Sequence, residues 1–209
     1  MAIKGLSIPV FGKYTKSADG TVTYTDGMIN PHAVSYTIAA EVSEPNPFRA
    51  DNRIVENDKG RFNSGTLTLE TDDLDNETTK YLLGVHELER NYGTGKTVKS
   101  IIFDDSMDTS PLGAGVIVEH QRNDVDVYEA VFLKKVLFII PENAATTRGE
   151  SIEWQTSTIT GTISRSDETG ESGIHPWKEQ AEFESESEAL LFLKSMLGVT
   201  DTPAPTGGK

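Results

Sequence analysis

Much of the chain alternates apolar and polar positions with a period of two, which is typical of strands that bury one face. In the segment 34–42, the even-numbered positions carry Val, Tyr, Ile, Ala and Val, whereas the odd-numbered positions are mostly polar or small. The same alternation predicts shorter strands at 66–70, 99–103 and 116–121. We therefore expect a mainly β fold.

Two longer segments are also β-prone. The segment 125–140 is apolar on both faces over its second half and stops at Pro141, so it is predicted to be the central strand of the core. The segment 151–163 is rich in Thr, and its apolar residues move from even positions (Ile152, Trp154) to odd ones. That change of phase predicts a bulge or bend.

Two helices are predicted. In the first, at 74–83, Asp72 or Asp73 can cap the amino terminus, and Gly84 stops the helix. The second, at 186–197, has stronger signals.

Ser185 and Glu188 form a capping box in front of the second helix, and Gly198 stands where a carboxyl-terminal glycine belongs. An apolar stripe along the helix predicts that it packs on the core. The stripe comprises Ala189, Leu190, Leu193, Met196 and Leu197.

The remaining segments are predicted to connect these elements. We expect long irregular connections at 44–61 and 164–184, and a disordered tail at 199–209. Residues 1–198 are then one domain. The predicted fold is a two-sheet sandwich or partial barrel with one or two flanking helices and a long inter-strand loop.

The composition excludes several classes of protein. The chain has 19 basic and 33 acidic residues, a formal net charge of −14, which disfavours a broad phosphate-binding face. It has no cysteine, which excludes disulfides and thiolate chemistry. No apolar run approaches the roughly 18 residues of a membrane span. The first residues are interrupted by glycine and proline rather than forming a signal peptide, so we expect a protein made in the cytoplasm with no membrane association.

Gly95-Lys96-Thr97 looks like the end of a phosphate-binding loop. That loop requires a glycine five residues before Gly95, where this chain has Arg90. We interpret the segment as a glycine-rich turn before a strand.

Two acidic clusters fail the calcium-loop pattern. In the first, Thr78 and Gly84 replace the required Gly and Glu, and acids at the start of a helix explain it better. In the second, formed by Asp104, Asp105 and Asp108, Gly115 takes the place of the final Glu. Loose binding of a divalent ion remains open for both.

The histidines and tryptophans give no catalytic pattern. The four histidines are dispersed, and the chain has no nucleophile motif. We predict no enzymatic activity, no catalytic residue, no cofactor and no metal, with a small hydrolase built from scattered His and Asp as an alternative. Trp154 is interpreted as a core residue, and Trp177 as the anchor of the acidic segment around it.

Short motifs follow one another in order over roughly residues 3–197. They are Lys4-Gly5-Leu6, Ala50-Asp51-Asn52, Glu56, Phe62, Gly65-Thr66-Leu67-Thr68-Leu69, Asp73-Leu74, Leu83-Gly84, LKKVLF at 133–138, GESIEW at 149–154 and ITGTI at 159–163. This series resembles the major tail proteins of long, flexible-tailed bacteriophages (siphophages), which are the subunits of the tail tube.

The resemblance implies a structural virion protein. In that family a β-sandwich assembles into six-membered rings, the rings stack into a tube around the tape measure protein, and DNA later passes through the lumen without specific binding. The implied partners are other copies of the chain, the tape measure protein, the tail terminator and the distal tail or baseplate proteins. The implied location is the virion tail, after assembly in the host cytoplasm.

A family loop that reaches the adjacent ring corresponds to the segment 44–61. Phe and Arg are common anchors of interfaces. We therefore expect the contact core to comprise Pro47, Phe48, Arg49, Asp51, Asn52 and Arg53. A solvated loop without a partner is the alternative for this segment.

Two further points follow for function. Free strand edges in a β protein favour pairing between chains, and an acidic wall would repel DNA and keep its passage low in friction. The alternative function is an Ig-like or lectin-like binding module, for example an adhesin of a phage or cell surface, with loops around Trp177 as its site.

Overall fold

The computed structural model describes residues 2–30, 32–72, 74–105, 107, 109–142, 155–170 and 173–200. These residues are mainly β. The strands are β1 Ala2–Lys16, β2 Val22–Ile29, β3 Ala33–Val42, β4 Asn46–Ala50, β5 Arg53–Asp58, β6 Phe62–Thr71, β7 His86–Gly93, β8 Lys96–Ile102, β9 Leu112–Arg122, β10 Val125–Phe138, β11 Ser157–Ser164 and β12 Lys178–Phe183. The helices are α1 Asn76–Leu83 and α2 Glu186–Leu197.

An eight-stranded antiparallel sheet is the main element, with the strand order β2-β1-β9-β10-β11-β6-β3 and with β12 paired to β10. Two strands share the edge of β10 that faces away from β9. Residues Tyr128–Leu133 of β10 pair with β12, and residues Lys135–Phe138 pair with β11. The prediction that this segment is the central strand is confirmed, although the strand ends at Phe138 rather than at residue 140.

The two faces of β9 and β10 are both covered, which gives the fold its sandwich-like layers. On one face, Val118 and Val131 pack against Tyr36 and Ile38 of β3. On the other face, Ile117 and its neighbours pack against α2. This double burial explains why β10 is apolar on both sides.

The amino-terminal ends of both helices carry side-chain caps. Ser185 caps α2 by accepting a hydrogen bond from the Glu188 backbone, and Gly198 ends the helix at φ 67°, as predicted. For α1, the cap is Asp75, which accepts from the Thr78 backbone at 2.7 Å. The prediction of Asp72 as the cap was wrong because Asp75 is the carboxylate within reach of that N–H, and Asp73 lies outside the described residues.

Several elements differ from the prediction. The segment 44–61 is not irregular but forms the hairpin β4–β5, and 164–184 contains β12. The strands β1, β2 and β7 were not predicted. Part of the segment 151–163, in which a bend was expected, lies outside the described residues. Trp154 and most of the predicted tail also lie outside them.

Neither helix in the described ranges is long and apolar enough to cross a membrane.

Candidate functional site

The β4–β5 hairpin extends from the edge of the main sheet and forms a two-stranded sheet of its own. At its base, the Ser43 N–H donates to the Arg61 carbonyl at 2.9 Å, directly beyond the β3–β6 ladder. At its end, Asp51 and Asn52 have φ values of 50° and 60°. Two residues in the left-handed region form the tight turn that matches the twist of a hairpin. We call residues 44–61 the arm and residues 47–55 the arm tip.

All six residues predicted as the contact core lie in the arm tip, three on β4, two in the turn and one at the start of β5. Their side chains are exposed, and Phe48 is 63% exposed. Across the hairpin, Phe48 faces Glu56 and Arg49 faces Ile54. The hairpin thus brings the predicted residues together, while their role in contact remains a prediction.

The arm tip also holds apolar residues that the sequence analysis missed. Ile54 and Val55 are 55% and 59% exposed, and a register shift between Phe48 and Arg49 accommodates the additional residue Val55. The signal for them was present in the sequence, since Ile-Val after an Asp-Asn pair is typical of the second strand of a hairpin.

The two arginines of the arm tip are unpaired within the described part of the chain. Neither Arg49 nor Arg53 lies in an ion pair there, although most other basic side chains of the sheet do. Exposed apolar side chains beside unpaired cations are the features of a surface that gains by meeting an acidic, partly apolar partner.

A second hairpin, β7–β8, also stands apart from the main sheet. Leu88, Tyr92 and Val98 are about half exposed or more. At its base, Glu87 accepts from Lys80 of α1 at 3.2 Å and from Lys99 at 3.0 Å, and these bonds lower the pKa of Glu87. The Lys80–Glu87 ion pair attaches this hairpin to α1, whereas the Lys99–Glu87 pair lies within the hairpin.

The outer face of β3, β6 and β11 is lined with hydroxyl groups. In one row across the strands, Thr68 of β6 lies between Thr37 of β3 and Thr160 of β11. In the next row, Thr66 lies opposite Thr162. These three strands contain no Lys or Arg.

The charges on this face are carboxylates. Glu70 accepts from Thr156 and from Ser35, and these bonds lower its pKa. Glu41 accepts from Ser64 at 2.8 Å. The face is therefore polar, and its charged side chains on these three strands are acidic.

The candidate chemical motifs have structural roles. Gly95 lies in the turn between β7 and β8 with φ 69°, as the turn interpretation predicts. His120 on β9 contacts the carboxylate of Glu129 at 2.9 Å. No group of three or more His, Asp or Glu side chains within the described ranges could hold a metal ion, and Asp108 of the second acidic cluster lies outside those ranges.

Trp177 is packed rather than free. Its ring stacks on Phe62 with centroids 4.2 Å apart and planes 2° apart, and Lys178 Nζ lies 5.4 Å from its centroid. The anchoring role predicted for Trp177 agrees with this packing.

No protein-family model matches the chain, and no curated protein matches it at a significant level.

Proposed function

We propose that this protein is a tail tube subunit that assembles into stacked rings, hexameric by analogy with the resembled family, and conducts DNA passively through their lumen. The proposal begins from the resemblance of the sequence to the major tail proteins of siphophages. In this proposal the protein has no catalytic role. Its partners are other copies of itself, the tape measure protein, the tail terminator and the distal tail or baseplate proteins.

The observation that supports the proposal most is the arm. It extends from the edge of the sheet, and the side chains of Phe48, Ile54 and Val55 are left largely in water. Exposure of this much apolar surface on a narrow hairpin is unfavourable for an isolated chain, and it becomes favourable when another copy covers the hairpin.

The strand order adds a second support. The strands β2 and β3 terminate the main sheet, and no other described strand pairs with their outer edges. The Gly27 N–H of β2 donates to the Gly198 carbonyl at 3.0 Å, so the edge of β2 is partly occupied. An edge without a partner strand, such as that of β3, favours addition of a strand from a neighbouring copy. Head-to-tail contacts of this kind close into rings when the rotation between copies permits it.

In this proposal, the outer face of β3, β6 and β11 lines the lumen. Its hydroxyl groups and the carboxylates of Glu41 and Glu70 offer no cation to a passing phosphate backbone. Because DNA is held on proteins largely through cationic contacts to phosphate, such a wall would let it slide.

Deletion of residues 46–58 tests the role of the arm. The base of the hairpin is held by the bond between Ser43 and Arg61, so a short connection can replace the arm without disturbing the β3–β6 ladder. We expect the wild-type protein to form rings or tubes visible by electron microscopy and light scattering. The deletion variant should remain a folded monomer.

A pair of milder variants provides the control. Phe48→Ser should reduce assembly, whereas Val125→Ser, at a similarly exposed position at the start of β10, should not. Tubes of normal length from the deletion variant would contradict the role of the arm. A wild-type protein that stays monomeric even beside baseplate nuclei would contradict the tube itself and favour a binding module.

A further inference from the structure

A second exposed apolar surface lies where α2 packs beside β12. Leu191 on α2 is 64% exposed, and the rings of Phe183 and Phe192 stand behind it with centroids 5.4 Å apart. These residues line a shallow hollow of about 600 Å³ whose rim carries Glu184 and Glu188. We call these five residues the Leu191 patch.

The carboxylates on the rim are available for a partner. The neighbouring Glu182 is bound by Arg122 through two hydrogen bonds of 2.6 and 3.0 Å. No such ion pair to another described residue holds Glu184 or Glu188. The Leu191 patch is thus an apolar surface flanked by two unpaired negative charges.

The arm tip has the complementary composition. Phe48 and Ile54 are exposed apolar side chains, and Arg49 and Arg53 are unpaired cations beside them. Opposite charges around two apolar surfaces provide both steering and specificity when the surfaces meet. Phe and Arg are also the residue types that contribute most at the centre of interfaces.

Another groove fits the arm tip less well. It is lined by Phe103, Ile139 and Ile140 and has a volume of about 770 Å³, but Glu142 is its one carboxylate among the described residues. Charge complementarity therefore favours the Leu191 patch.

We propose that the arm tip of one copy docks on the Leu191 patch of a second copy. Phe48 and Ile54 then contact Leu191, and Arg49 and Arg53 pair with Glu184 and Glu188. The inference rests on the proposed self-assembly and names the surface that receives the arm. Since the two surfaces differ, the contact is head-to-tail, and an assembly that does not close on itself keeps free arms at one end and free patches at the other.

Cross-linking tests this contact directly. Because the chain has no cysteine, each introduced thiol is unique. Ser195 also lines the hollow of the Leu191 patch. Val55→Cys protein is mixed with a size-tagged Ser195→Cys protein and oxidised, and the mixed disulfide is measured on a non-reducing gel. Val98→Cys on the β7–β8 hairpin, also about half exposed, replaces Val55→Cys in the control. We expect the Val55 pair to cross-link about ten times faster than the control. Equal rates would overturn the proposal.

Charge reversal provides the second readout. Two double variants reverse the charges, Arg49→Glu/Arg53→Glu on the arm tip and Glu184→Arg/Glu188→Arg on the Leu191 patch. Each should fail to assemble alone while keeping the melting temperature of the wild-type protein. A mixture of the two, in which an acidic arm meets a basic patch, should recover assembly, and so should the chain that carries all four substitutions. Assembly by either variant alone, or no recovery in the mixture, would contradict the pairing.

The two proposals can fail separately. If the wild-type protein forms tubes but the Val55 and Val98 pairs cross-link equally, the arm docks elsewhere and the tube proposal stands. If the Val55 pair cross-links preferentially but no rings or tubes form, the contact stands and the tube proposal fails.

Discussion

The hydroxyl of Tyr14 donates a hydrogen bond of 2.8 Å to the carboxylate of Asp167, although 153 positions of the chain separate the two residues. The Asp167 backbone N–H donates back to the same hydroxyl oxygen. Lys135 and Lys16 also bind this carboxylate, at 2.6 and 3.1 Å. Asp167 therefore attaches the segment after β11 to β1 and β10.

These contacts predict a specific pH dependence of stability. The bonds from Lys135, Tyr14 and Lys16 hold the pKa of Asp167 well below its ordinary value of 3.8. Because the folded-state pKa is the lower one, the stabilisation is fully present above about pH 5 and is lost as the pH falls below 3.8 toward the folded-state value. Asp167→Asn should lower the free energy of unfolding by about 1–2 kcal/mol at pH 7, measured by urea denaturation. The difference from wild type should shrink at pH 3, and a difference that is constant down to pH 3 would contradict this account.

Removing the stacked ring of Trp177 should destabilise the fold. Trp177 and Phe62 join the segment before β12 to the start of β6, and both pack against the main core cluster. Trp177→Ala should lower the free energy of unfolding by about 3 kcal/mol, and Trp177→Phe by about half as much because it retains a ring. Denaturation followed by far-UV circular dichroism measures both. Equal losses for the two variants would mean that a smaller ring retains none of the stabilisation, which would contradict this account.

Local signals allowed α2 to be predicted from the sequence, because Ser185 and Gly198 act on their own helix ends. The start of α1 was harder. Several acids precede it, and the choice of Asp75 depends on which carboxylate reaches the Thr78 N–H in the folded chain.

The unpredicted strands have identifiable causes. In β1, the register shifts between Ser7 and Val10, and Ile8 sits at φ 46°, so the apolar positions change phase within the strand. In the arm, Pro47 looked like a breaker of secondary structure, although an isolated edge strand tolerates proline. The Leu191 patch was not predicted. Helical spacing leaves Leu191 off the apolar stripe of α2, but only the folded chain shows that Phe183 and Glu184 line a hollow with it.

The close seating of α2 predicts an intolerance of side chains on β1. A Cβ at Gly12 would lie 2.4 Å from the Leu197 carbonyl oxygen, which is backbone and cannot turn away. Gly12→Ala should therefore lower the free energy of unfolding by about 3 kcal/mol.

Gly5→Ala on the same strand is the matched control. Its Cβ would meet the Glu119 carboxylate at 3.2 Å, and that flexible side chain can move. We expect a change within about 0.5 kcal/mol. Thermal unfolding of the two variants compares them, and similar losses would mean that the seating of α2 is not responsible.

The buried ion pair of Lys134 and Glu179 should respond unequally to loss of its two partners. Lys134 Nζ lies 2.5 Å from the Glu179 carboxylate, but the lysine side chain is 7% exposed and the glutamate 41%. Glu179→Gln leaves a buried cation without its counter-charge and should cost about 2–3 kcal/mol of the free energy of unfolding. Lys134→Met removes that cation, and Glu179 can be solvated where it stands, so the cost should be below about 1 kcal/mol. The double variant should match Lys134→Met.

Asp26→Asn, which breaks the exposed Lys13–Asp26 pair, is the control and should change the free energy of unfolding by less than about 0.5 kcal/mol. A greater loss for Lys134→Met than for Glu179→Gln would show that the lysine contributes through its packing rather than through its charge.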